Sequence, residues 1–188
     1  MTEEKVLDLC PLWVFGYASL LWNPGFPVAE RKLATLRGYH RSFCMRSIHH
    51  RGTAEDPGLV LALDEMSGAS CQGQVMRVPD HAIIEAIECL RERELISSAY
   101  LERLVELDVE DGPSVTALAY VIDRTHVQYV SGLELEQQAR IIALAAGGRG
   151  PNSEYLWNTA DHLRELGIED EDLDWLSARV HVLAGGGR

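Results

Sequence analysis

The chain has 188 residues, 46% hydrophobic and 24% charged, which fits one globular domain with its own core and excludes a disordered or fibrous protein. Seventeen Lys and Arg against 29 Asp and Glu leave a formal charge of −12, which argues against a surface that tracks nucleic-acid phosphates. No apolar stretch reaches the roughly 18 residues of a membrane span, and the opening MTEEKVLDLC carries acids where a signal peptide needs bases, so the expected setting is the cytoplasm, away from membranes.

In chain order, residues 12–17 form a short apolar and aromatic run that reads as a strand, followed by the turn-rich Asn23-Pro24-Gly25. Strands are expected over 33–48, 59–64 and 71–78, with turns at Pro57-Gly58 and Ser67-Gly68. After Pro79 the period changes: Ile83, Ile84, Ile87 and Leu90 recur at three- and four-residue spacing, predicting an amphipathic helix with Asp80 as its N-cap. Two more strands, 101–109 and 115–122, flank Asp111-Gly112-Pro113. Three helices follow: 134–146 before Gly147-Gly148, 153–166 before Gly167 with Asn152 or Ser153 as cap, and about 170–183. Six strands, one helix among them and helices gathered at the end predict an α+β domain, and so many short strands suit a barrel. The expected organisation is a single domain over 1–188, with its core at about 13–166 and a C-terminal helix at 170–183.

Four cysteines, Cys10, Cys44, Cys71 and Cys89, form no CxxC pair, so idle or buried thiols are expected rather than a disulfide framework or zinc ribbon. His49-His50-Arg51 lacks the spacing of a metal site. The acids Glu169 to Asp172 and Asp174 suit a solvated helix start. Ser19 or Cys89 would act as a nucleophile only with a base supplied in space.

The helix at 81–94 carries a sharper signal. At about 100° per residue from Ile83, Ile87 falls near 40°, Leu90 near 340° and Glu94 near 20°, whereas Glu85, Glu88 and Glu92 fall on the far side at about 140° to 200°. One acid in four therefore faces the apolar stripe. A carboxylate held there is expected to have a raised pKa and to suit general-base work; pairing with Arg91 or Arg93, or an earlier helix end, would leave it structural. The strand ending Gly16-Tyr17-Ala18-Ser19 could aim several backbone N–H groups at one carboxylate, or be a core strand and turn. It contains no phosphate-loop or dinucleotide fingerprint.

WVFGYASLLWNPGF at 13–26 is similar to the VFGYGSL signature, followed by Trp and often Pro, of the ChaC-type γ-glutamylcyclotransferases. In the same order follow HRG at 50–52 with Pro57-Gly58, the pair Arg93-Glu94 six residues before Tyr100, and a glycine-rich turn leading to Asn152 and Glu154-Tyr155-Leu156. Over about 13–166 the chain resembles that family. The resemblance implies a compact mixed β-barrel with flanking helices and no metal or organic cofactor. It implies a lyase of glutathione catabolism that releases 5-oxoproline and Cys-Gly, with glutathione or another γ-glutamyl compound as substrate. By motif position, Val14, Phe15, Gly16, Tyr17, Ala18, Ser19 and Leu20 would hold the γ-glutamyl group, chiefly through main-chain groups, and Glu94 would be the catalytic acid/base. Tyr100 and Tyr155 are expected to donate hydrogen bonds nearby, or to be simple core aromatics. Because glutathione is an anion and the chain is acidic, local donors including Arg51 or Arg93 are expected to contribute. Ala18 departs from the family's glycine; if that position needs φ > 0, substrate preference changes. A cyclotransferase for other γ-glutamyl amines and a non-catalytic glutathione-binding regulatory domain are the competing expectations.

Overall fold

The computed structural model describes residues 10–185. Two compact units share the described residues, one formed by 10–41 and 63–123, the other by 42–62 and 124–185.

The first unit is built on strands. β1 (Trp13–Gly16), β2 (Glu30–Ser47), β3 (Gly58–Arg77), β4 (Tyr100–Val109) and β5 (Val115–Ile122) close a barrel in the order β1-β3-β2-β4-β5, with β5 also pairing β3. β2 and β3 are long strands whose far ends belong to the second unit. β1 lies antiparallel to β3, with Gly16 opposite Gln74, and parallel to β5, with Val14 opposite Leu118. β5 is buried from Ala117 to Ile122, as a strand covered on both faces must be. β4 alternates instead, burying Val105, Leu107 and Val109 between exposed Glu106 and Asp108. Phe15, Leu63, Met76, Leu90, Leu107, Leu118 and Tyr120 form this unit's fully buried centre.

Two strands expected at 59–64 and 71–78 are halves of the single strand β3. The turn signal at Ser67-Gly68 marks a residue at φ +81, a conformation glycine adopts freely, inside a strand that continues through it. Residues 19–22, for which no helix is predicted, form a one-turn helix, α1 (Ser19–Trp22). The periodic segment is α2 (Ile83–Glu94), which buries Ile83, Ala86, Ile87 and Leu90; Ile84 is exposed. Asp80 is not its N-cap: a 3-10 turn (Asp80–Ala82) precedes it, Ala82 occupies the cap without a side-chain bond, and the Asp80 carboxylate lies 3.4 Å from Arg77.

The second unit holds α3 (Leu135–Leu144), the short pair β6 (Ala146–Gly147) and β7 (Gly150–Pro151), α4 (Asn152–Glu165) and α5 (Glu171–Gly185). α3 opens with a reciprocal capping box between Glu134 and Gln137. Gly167, at φ +72, ends α4, and the Ile168 N–H returns to the Leu163 carbonyl at 2.9 Å. Asp170 Oδ1 accepts from the Leu173 N–H at 3.1 Å at the start of α5, so one of the clustered acids is a helix cap. No helix among the described residues is long and apolar enough to cross a membrane. Cys44 and Cys71 are buried, Cys89 half-buried and Cys10 exposed.

Candidate active site

β1 runs from the barrel wall straight into the loop that leads to α1. Val14 and Phe15 are fully buried and Leu20 nearly so, so their side chains belong to the core and these three residues can offer a ligand only their main chain. Gly16 sits close to its neighbours: a Cβ there would lie 2.7 Å from Met76 Cε, the flexible end of a side chain, and 3.3 Å from Leu20 Cβ. The Tyr17 hydroxyl donates to the Tyr120 carbonyl at 3.0 Å, and Arg41 Nε donates to the Tyr17 carbonyl at 2.6 Å. With that carbonyl fixed, peptide planarity aims the Ala18 N–H the opposite way. Ala18 is buried with φ −143, so alanine sits here without entering glycine's left-handed region.

α2 persists to Glu94, its last residue. Glu85, Glu88 and Glu92 are exposed whereas the Glu94 side chain is only 15% exposed, the division its helical phase predicts. Beside it Arg93, 11% exposed, places Nε 3.0 Å from Glu94 Oε1. The same guanidinium donates from Nη2 to Ser19 Oγ at 2.7 Å and from Nη1 to the Asn23 carbonyl. One turn earlier, Cys89 Sγ donates to the Gly25 carbonyl at 3.2 Å. The face of α2 that carries Cys89 and Arg93 is thus fastened to the loop that follows β1.

Sequence reasoning missed a second acid. Glu102 on β4 is 10% exposed on its side chain; Arg91 grips it with Nε at 2.8 Å and Nη2 at 3.0 Å, and the Tyr120 hydroxyl donates to Oε1 at 3.2 Å. Burial pushes the Glu102 carboxyl up, but the bonds and charge of Arg91, with the Tyr120 hydroxyl, outweigh it and hold the carboxyl below its ordinary range. Burial is also the largest influence on Tyr120, raising its pKa well above the ordinary phenol value, with the charges of Glu102 and then Glu94 adding to it. Both acids therefore act on one phenol, which stays protonated as a donor. Tyr100, the first residue of β4, is buried opposite Ile122 on β5. Three residues past Glu94, Ser97 Oγ is buried with no hydrogen-bond partner among the described residues.

The remaining motif residues belong to the second unit. Arg51 is buried, its Nη1 donating to the Pro151 carbonyl at 3.0 Å and lying 3.4 Å from Glu154 Oε2, with its guanidinium 5.8 Å from the centre of the Tyr155 ring. The Tyr155 hydroxyl accepts from the Leu61 N–H at 3.2 Å. Asn152 is not a helix cap; fully buried, it accepts from the Leu59 N–H at 2.6 Å and donates to the Leu59 carbonyl at 2.7 Å, as a neighbouring strand would. The glycines of these motifs mark backbones in contact. A Cβ on Gly58 would meet the Arg51 carbonyl oxygen, and one on Gly147 the Gly52 amide at 2.5 Å. Spacing alone carries no sign of those approaches.

A family model described as ChaC-like protein matches residues 12–183. A glutathione-specific gamma-glutamylcyclotransferase of Escherichia coli is 38% identical over 176 residues, covering 94% of this chain and 75% of that protein. One of Schizosaccharomyces pombe is 34% identical over 188 residues, covering 91% and 92%. A crystal structure described as a gamma-glutamyl cyclotransferase specific to glutathione from yeast matches with a TM-score of 0.82 at 23% identity, over 90% of this chain and 95% of that one, and it places the α+β barrel among γ-glutamylcyclotransferase folds.

Proposed function

The chain belongs to the ChaC-like family, and on that footing we propose that it is a γ-glutamylcyclotransferase that cleaves glutathione to 5-oxoproline and Cys-Gly, with Glu94 as general base and then general acid. The observation that carries this reading is the position of Glu94: an inward acid at the end of α2, joined through one guanidinium to the loop that follows β1.

The reaction needs little else. The α-amine of the γ-glutamyl group must attack its own γ-carbonyl, and an ammonium has no lone pair until a base removes a proton. The Glu94 carboxylate takes that proton, the new C–N bond closes a five-membered ring, and the carbonyl oxygen becomes an oxyanion. The oxyanion then collapses, the bond to the cysteine nitrogen breaks as Glu94 returns the proton to that nitrogen, and the ring nitrogen gives up its second proton, which leaves 5-oxoproline as the neutral lactam and Cys-Gly as the ammonium. No water is consumed. Nucleophile and electrophile already share one molecule, so the protein's part is to hold the folded-back conformer and to place donors where negative charge develops. The main chain of 14–20 serves the first role, with Ala18 and Ser19 as anchoring donors and Tyr100 as a nearby hydrogen-bonding side chain. Arg51 and Tyr155 already have partners within the second unit. Ala18, at a negative φ, gives no reason to move the reading to another substrate.

Purified protein incubated with glutathione should release 5-oxoproline and Cys-Gly in equal amounts, and Glu94→Gln should lower turnover by about 10²- to 10⁴-fold, the range for a lost general acid/base. A wild type without product, or a Glu94→Gln variant that keeps its rate, refutes the assignment. Faster turnover of a different γ-glutamyl amine in the same assay refutes glutathione while keeping the chemistry.

A further inference from the structure

We infer that Arg93 is a positioning residue for this reaction: its single guanidinium fastens the ligand-holding loop to the end of α2 and keeps the adjacent Glu94 in the form that accepts a proton. The inference rests on the reading of Glu94 as the acid/base.

Three groups meet that guanidinium. Ser19 Oγ at the start of α1 and the Asn23 carbonyl just past its end lie in the segment that follows β1, Glu94 Oε1 is 3.0 Å from Nε, and the Arg93 side chain is only 11% exposed. A planar fork with donors on three edges can serve acceptors in three directions at once; an ammonium cannot reach the same set from one point. Consecutive helical residues point about 100° apart and do not ordinarily face each other. The meeting of Arg93 with Glu94 therefore requires both side chains to bend to one place, and the loop acceptors explain why Arg93 is held there.

The electrostatics run the same way. Glu94 ends a helix, where about half a negative charge from the unpaired carbonyls disfavours another anion. Arg93 meets Glu94 from its own helix, and the Tyr120 phenol of β5, which feels the Glu94 charge, donates to the Glu102 carboxylate of β4. Arg91 grips Glu102 with two nitrogens and so largely neutralises it, Tyr120 is a neutral donor, and Ser19 in the loop is neutral. Arg93 is the cation turned to Glu94, and only one of its three partners is charged. Loop position and the protonation of Glu94 are therefore linked through one side chain.

The test uses the full chain and measures kcat and KM for glutathione between pH 5 and 9 in Arg93→Gln, Arg93→Lys and Ser19→Ala, with circular dichroism for folding. Without the guanidinium charge, Arg93→Gln should move the acid limb of kcat/KM up by about 1 pH unit, since an opposite charge within a few ångströms is worth 1 to 3. Arg93→Lys keeps a charge and should leave that limb within about 0.3 unit, yet raise KM several-fold as the loop contacts are lost. Ser19→Ala should raise KM with the limb unmoved. A folded Arg93→Gln whose acid limb and KM match wild type overturns the inference; if that variant does not fold, an Arg93→Lys with unchanged KM does so. Turnover by wild type that disappears in Glu94→Gln, together with a silent Arg93→Gln, rejects the role of Arg93 alone. Turnover that survives Glu94→Gln removes the function assigned to Glu94 and this inference with it.

Discussion

Replacing Arg91 by Met tests the buried charge pair that holds β4 to α2. Glu102 keeps 10% of its side-chain exposure and Arg91 keeps 28%, and the two are joined by hydrogen bonds of 2.8 and 3.0 Å. Removing one member of a fully buried pair costs about 3 to 5 kcal/mol because a carboxylate is left without a counterion. Arg91 is partly solvated, so the lower end applies, about 3 kcal/mol, or a fall in Tm of about 6 to 12 °C for a chain of this size. Changing Glu102 to Gln in the same background removes the orphaned charge while keeping an acceptor for the Tyr120 hydroxyl. The double variant should therefore recover about 2 kcal/mol of the loss. The pH dependence has a definite sign. The Glu102 pKa is depressed in the folded state, so its stabilisation is present above the unfolded carboxylate value and is lost as pH falls through the lower folded value. The penalty in Arg91→Met should be largest near neutrality and shrink on acidification, as the orphaned carboxyl takes up a proton. Urea melts of the wild type and both variants at pH 7, 5.5 and 4 measure this. A loss below about 1 kcal/mol at neutral pH, set against the 3 expected, would refute the reasoning, as would a penalty that does not diminish toward pH 4.

Substitutions at three other positions give direct readouts. A Cβ at Gly73 would lie 2.3 Å from the Gly16 carbonyl oxygen and 3.0 Å from the Phe15 ring. Because the obstacle is backbone, Gly73→Ala should cost about 3 kcal/mol or more in urea and reduce turnover by displacing the end of β1; a melt matching wild type contradicts the packing described. Asn152→Ala should cost about 3 kcal/mol, from the unmet N–H and C=O of Leu59, and Asn152→Asp, which keeps the acceptor but sets a buried carboxylate oxygen against the Leu59 carbonyl, should cost at least as much; equal stability of all three proteins would be the contrary result. Ala18→Gly should lower stability by about 1 kcal/mol through added chain entropy and leave kcat/KM within about threefold, a gap of under 1 kcal/mol. A tenfold gain would instead mean that the Ala18 methyl group obstructs the ligand.

How much of this was legible depends on how far apart the cooperating residues lie. The burial of Glu94 was readable because three apolar residues one to three turns before it on α2 fix its phase. Glu102 was unreadable for the opposite reason. In β4 it sits among Glu106, Asp108 and Arg103 and looks like any strand acid; what buries it is Arg91, 11 residues back on another element, and Tyr120, 18 residues on. Asn152 misled for a related cause. Its place before a helix suggests a cap, yet its partner is the backbone of Leu59, 93 residues earlier. Ser67-Gly68 carried a true signal of positive φ, but the ladder on either side decided that the strand would continue. Arg51 and Arg93 looked like donors awaiting an anion, whereas both reach acceptors supplied by the protein itself.

The behaviour of the arginines bears on how an acidic protein would hold an anionic ligand. In the first unit Arg41 donates to the Tyr17 carbonyl, Arg93 to Ser19 and Asn23, and Arg91 to Glu102. These cations brace the walls of the candidate site, and two of them act on the few residues that follow β1. A net charge of −12 would oppose the approach of glutathione, so attraction at long range contributes nothing useful to the proposed reaction. A loop whose carbonyls and hydroxyl are pinned presents its amides in one geometry before a ligand arrives, and donors fixed in advance need no reorganisation when charge develops. For a ring closure whose partners already lie in one molecule, holding that geometry is the larger part of the work, and arginines turned toward the protein's own backbone are how this chain would do it.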